Sequence, residues 1–92
     1  MARNFGRRAL QWLDLPPDAL LDIPRLETVG HLQLRLSNHR GLMRYEPGLV
    51  VIRLPKGRLE VRGQDFVVGA IDREEILVTG IIRAIQFHVG AS

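Results

Sequence analysis

The chain contains no cysteine. That removes disulfides, thiolate metal sites and a cysteine nucleophile, and it fits a reducing compartment. Serine occurs only at Ser37 and Ser92, and lysine only at Lys56. Aromatic residues are 5% of the chain, too few to interleave with arginines across a sheet as a nucleic-acid face requires. No apolar run approaches the ~18 residues that span a membrane. The first residues lack a long apolar stretch with a small-residue cleavage site, so a secretory leader is not expected. There is no GxGxxG or Walker loop to cradle a nucleotide.

What is present describes one small domain. With 92 residues, 46% hydrophobic and 25% charged, the composition is ordinary for a globular chain with a thin core. The net charge of +3 is unevenly placed. Arg3, Arg7 and Arg8 lie in residues 1–13, which hold no acid, while residues 14–92 balance their basic and acidic residues. A nucleic-acid-binding face usually puts its excess charge on the fold itself. Here the excess lies on an arm.

Residues 3–13, "RNFGRRALQWL", suit a short amphipathic helix with Phe5, Ala9, Trp12 and Leu13 on one stripe. Pro16 and Pro17 stop it, and "PDALLD" can add one more helical turn before Pro24. We therefore expect a basic helical arm over residues 1–25 and a β domain over 26–92. In the latter the hydrophobic period becomes two. "HLQLRL", "GLMRY", "GLVVIRL", "RLEVRG", "DFVVGAI" and "EILVTGIIRAIQFHV" read as about seven short strands separated by turn signals. The expected fold class is all-β with a short N-terminal helix, an antiparallel meander or sandwich. Segments 49–52, 66–68 and 76–78 are apolar on both faces, which implies cover on two sides and raises a homo-oligomer as an expectation.

Two internal matches bear on the architecture. "LRLSNHRGLMRY" (34–45) lies over "ILVTGIIRAIQF" (76–87), with Asn38 on Gly80. Both are residues that tolerate positive φ, so both segments read as strand, bend and strand. "LEVRG" and "ILVTG" match at an offset of 17, with Gly63 over Gly80. Such an offset is also that of a β-solenoid rung, the alternative fold.

No catalytic constellation stands out. His31, His39 and His88 show no short ligand spacing, so no metal is expected. Glu74–Glu75 lies in a turn, and Asp14, Asp18 and Asp22 sit around helix starts, where acids favour the helix dipole. Ser37 and His39 share a strand face without the strand–turn–helix context of a nucleophile elbow. In "NHRG", Asn38 is read as a bend and Gly41 as the start of the next strand, leaving His39 and Arg40 displayed at a corner. The basic arm with Phe5 and Trp12 could lie on an anionic membrane surface or a partner.

"LDIPRLETVGHLQLRLSNHRGLMRY", "GRLEVRGQDFVV" and "EEILVTGIIRAIQF" resemble the sporulation proteins of the YabP/YqfC family. The likeness runs from about Trp12 to Phe87. It rests on "DIPR" at 22–25, "NHRG" at 38–41 and "GRLEVRG" at 57–63. The resemblance implies a small protein made in the mother cell of endospore-forming bacteria, cytoplasmic or peripheral at the forespore membrane. It implies no enzymatic activity and no cofactor. A membrane protein of the YqfD kind, typically encoded beside such proteins, is the partner it implies. The competing class is a small basic nucleic-acid-binding protein. On the reading as an interaction module, the contact residues are Arg3, Phe5, Arg7, Arg8 and Trp12 of the arm, Asp22, Pro24 and Arg25 at its end, and Asn38, His39 and Arg40. Arg25 and Arg40 either fix the first strands through hydrogen bonds or face a partner, and burial decides between these.

Overall fold

In a computed structural model the structure describes residues 23–90. The expected helix and most of the arm lie outside the described residues. The rest is all-β, as the period-two pattern predicts. Six strands form one antiparallel sheet: β1 (Arg25–Val29), β2 (Gln33–Ser37), β3 (Leu42–Glu46), β4 (Leu49–Leu54), β5 (Gly57–Ile71) and β6 (Glu75–Val89). Their spatial order is β1-β2-β6-β5-β4-β3.

Three details differ from the sequence expectation. "RLETV", placed at the boundary of the arm, is an edge strand paired with β2 from Arg25↔Ser37 to Val29↔Gln33. "RLEVRG" and "DFVVGAI" are one strand, β5, which continues through register shifts near Gly63 and Asp65 instead of breaking there. The sheet is not a simple meander either, because β2 pairs with β6 and the chain then crosses the molecule to begin β3.

The crossing dictates the shape. Fifteen extended residues span about 50 Å, so a straight β5–β6 hairpin would hold its tip far from its base. Asn38, however, donates its backbone N–H to the carbonyl of Glu74 at the tip (2.7 Å). Two residues later, Arg40 donates to the carbonyl of Arg53 beside the base (2.7 Å). Two residues reach about 7 Å at most. Tip and base must therefore lie together, and the long hairpin is folded double.

The bend falls where the sequence offers glycine. Gly80 has φ +144°, and a Cβ there would meet the carbonyls of Gln64 and Asp65. A Cβ at Gly63 would collide with the carbonyl of Ile81. Asp65, at φ +58°, takes up the extra residue of the bulge.

Folding the hairpin turns one sheet into two layers: β1, β2 and the outer halves of β6 and β5 form one, and β3, β4 and their inner halves the other. The alternating apolar residues point between them. Leu34 and Leu36 of β2, Val50 and Ile52 of β4, Leu59 and Val61 of β5, and Ile76 and Val78 of β6 are fully buried in one cluster, closed by Leu54 and Phe66.

The offset of 17 now has a structural meaning. Leu59 and Val61 occupy in one layer the places of Ile76 and Val78 in the other. The Gly63 N–H donates to the Gly48 carbonyl just as the Gly80 N–H donates to that of Leu32. The match marks an approximate two-fold between layers. Because every pairing is antiparallel, the solenoid alternative does not hold.

Candidate functional site

The "NHRG" segment is a clasp. Asn38 adopts φ +62°, the bend expected of it. Its side-chain Nδ2 donates to the carbonyl of Ile23 (3.1 Å), which ties the "DIPR" element to this corner. His39 is buried, contrary to the expectation that it is displayed. Its Nδ1 accepts the backbone N–H of Gly41 (2.9 Å), so Nε2 carries the proton and donates to the carbonyl of Asp72 (2.8 Å). Only this neutral tautomer satisfies both contacts, and both ring nitrogens are spent on the backbone.

The hairpin tip that His39 holds is itself set by Asp72. One Asp72 carboxylate oxygen accepts the N–H groups of Glu75 and Glu74, both at 2.7 Å. These bonds, that of Glu75 first, hold the Asp72 carboxyl below its usual pKa.

Arg40 points the other way. Its Nη1 donates to the Asn38 Oδ1 (3.0 Å) and to the His39 carbonyl (3.2 Å), while the residue stays exposed. It lines a broad open depression at the end of the β3–β4–β5–β6 layer with Arg53, Lys56, Arg58 and His88. No carboxylate of the described residues lines that depression.

The register explains the concentration of charge. The turn Pro55–Lys56 joins β4 to β5, setting Arg53 opposite Arg58, and Arg58 is in turn opposite His88 on β6. The Arg53 N–H and carbonyl both bond toward β3, to Gly41 and Arg40. Its pairing with Arg58 is therefore of the non-hydrogen-bonded kind, in which facing side chains lie closest. Like charges in that position are unfavourable. Neither Arg53, Lys56 nor Arg58 has an ion pair among the described residues.

The neighbouring charges are paired off. Arg62 bridges Glu60, and the His88 Nε2 lies 3.1 Å from the other Glu60 oxygen. Burial raises the Glu60 pKa, but the Arg62 hydrogen bond and charge, with smaller help from His88, lower it on balance.

The sequence-selected residues are thus divided. Arg3, Phe5, Arg7, Arg8, Trp12 and Asp22 lie outside the described residues. Pro24 leads into β1 half-buried, and the Arg25 side chain, exposed at its start, has no hydrogen bond or ion pair among the described residues. Asn38 and His39 serve the fold, and Arg40 both braces this corner and lines the depression. Arg53, Lys56 and Arg58 were missed. Their signal was "RLPKGR", with an arginine at each end, because a two-residue turn at Pro55–Lys56 places those arginines face to face.

Residues 24–92 match the model of the YabP family. The chain belongs to that family. It is 39% identical over 75 residues to the uncharacterized protein YqfC of Bacillus subtilis (strain 168), covering 82% of this chain and 81% of the relative. No solved structure matches. Membership suggests a role connected with sporulation. Among the described residues no helix is long and apolar enough to cross a membrane, which says nothing of strands.

Proposed function

We propose that this YabP-family chain is a non-enzymatic interaction module acting in sporulation, and that it docks through the basic row on an acidic segment of a membrane protein of the YqfD kind. The observation that carries the docking face is the uncompensated Arg53–Arg58 pair beside His88 and Arg40. A row of like charge on adjacent strands costs the fold stability unless a counter-charge arrives from outside. The buried tautomer of His39 supports the non-enzymatic reading, since neither ring nitrogen is left to move a proton. On this reading the protein works in the mother-cell cytoplasm, held peripherally at the forespore membrane by its partner, and the Arg3–Trp12 arm adds a second contact.

Co-purification tests the proposal. The full chain is co-expressed with the membrane protein encoded beside it, as wild type, as Arg53→Glu/Arg58→Glu and without residues 1–13. Wild type is retained, the charge-reversed protein is lost, and the truncated protein is weakened. Equal retention of wild type and charge-reversed protein refutes the docking face.

Nucleic acid is the second reading, because the same row would meet phosphates. It ranks lower because no Phe, Tyr or Trp among the described residues lines the depression for a base to stack on. A salt-sensitive RNA or DNA shift abolished by the same charge reversal would reverse that order.

A further inference from the structure

Folding the hairpin double leaves each layer with two open edges, and the four are not alike. The β1 edge has five residues, follows Pro24 and carries Arg25 and Glu27. The β3 edge also has five, slips register between Leu42 and Arg44, carries Arg44 and Glu46 and ends at Pro47. The outer half of β5 shifts register between Val68 and Ala70. Short length, proline, charge and bulges are the devices by which edges avoid pairing.

The inner half of β6 has none of them. From Ala84 to Val89 it runs in unbroken register against Arg62 to Gly57, with no formally charged residue and no proline. Phe87 and Val89 are exposed, Val89 at 77%.

The ladder fixes which backbone groups are offered. The Gly90 N–H donates to the Lys56 carbonyl, so by alternation His88, Gln86 and Ala84 direct their N–H and C=O groups to β5. Ile85, Phe87 and Val89 direct theirs outward, and no described residue bonds them.

We infer that this edge pairs with the same edge of a second copy, antiparallel about Gln86, joining two layers into one eight-stranded sheet. Centred there, Ile85 of each copy exchanges two backbone hydrogen bonds with Phe87 of the other, and their apolar side chains meet. Gln86 faces Gln86. Arg83, the nearest formal charge, is the unpaired residue at the register shift that ends this run, which brings it beside the exposed Val89 of the other copy and holds the two arginines well apart. The strand is thus complementary to itself in this register, which makes a second copy its natural occupant. The inference deepens the reading as an interaction module but uses a surface other than the basic row, so either can fail alone.

Register-specific charge supplies the test. Val89 is so exposed that either charge folds there. Sedimentation equilibrium of the full chain is run over a series of micromolar concentrations for wild type, Val89→Glu and Val89→Lys. Wild type dimerises reversibly. Val89→Glu meets Arg83 twice per dimer and tightens association about fivefold, and Val89→Lys weakens it by a similar factor. In hydrogen exchange, the Ile85 and Phe87 amides become protected as concentration rises, while those of Ala84, Gln86 and His88 do not change. A wild type that stays monomeric, or equal association of the two variants, overturns the inference.

Discussion

His39 and Arg40 are consecutive, yet they belong to two regions built on opposite terms. Around His39 every polar group is answered, from the Gly41 N–H to the Asp72 carbonyl and the Asp72 carboxylate with its two amide donors. At the neighbouring Arg53–Arg58 row, two cations face one another and neither has an ion pair among the described residues. The clasp region optimises the fold, and the basic row sacrifices some of it. Substitutions should therefore separate the two: changes in the clasp lower stability, and changes in the row raise it slightly while removing binding.

The largest effect tests the core the clasp closes. Leu36→Ala, in the fully buried cluster, should lose about 2–5 kcal/mol in urea unfolding. Next comes the clasp itself. His39→Ala leaves the Gly41 donor and the Asp72 acceptor without their partner and should cost about 2–3 kcal/mol. Because the row is untouched, the folded fraction should bind its partner normally. If His39→Ala unfolds no more easily than wild type, the comparison fails at its first term.

The row gives a smaller effect of opposite sign. Arg58→Ala removes the like-charge pair and should stabilise by about 0.2–1 kcal/mol, a gain that shrinks in salt. The pH dependence is smallest. The Glu60 and Asp72 carboxyls are both held below their usual pKa when folded. Their stabilisation is complete above the unfolded-state values and is lost as pH falls through the folded ones. Glu60→Gln and Asp72→Asn should each flatten the acid side of the stability profile, read as the urea midpoint against pH.

Much of the layer structure was legible. Leu34 and Leu36, or Leu59 and Val61, alternate with polar residues as half-buried strands must, and "LPKGRL" announces its hairpin. The bend at Asn38 and its counterpart at Gly80 were legible too, because few residues tolerate positive φ. Closure was not. A local pattern records which face of a strand is buried, but not that β5 and β6 fold double until tip meets base. Hence His39 looked displayed when it is enclosed, and "RLETV", with little apolar content of its own, did not read as a strand. In the site, Arg40 stood out beside histidine. Arg53 and Arg58 did not, because their meaning lies in register.

The folded hairpin also governs when the chain can fold. β2 is held between β1 and β6, and its pairing with residues 75–79 joins segments some forty positions apart. Closing so large a loop is slow, and its entropy is lost before the contacts repay it. On the ribosome, β1 and β2 have no second partner until the first turns of β6 have emerged. Assembly is therefore a late, nearly all-or-none event, and a ribosome stalled before Glu75 carries two strands with an apolar face still in water.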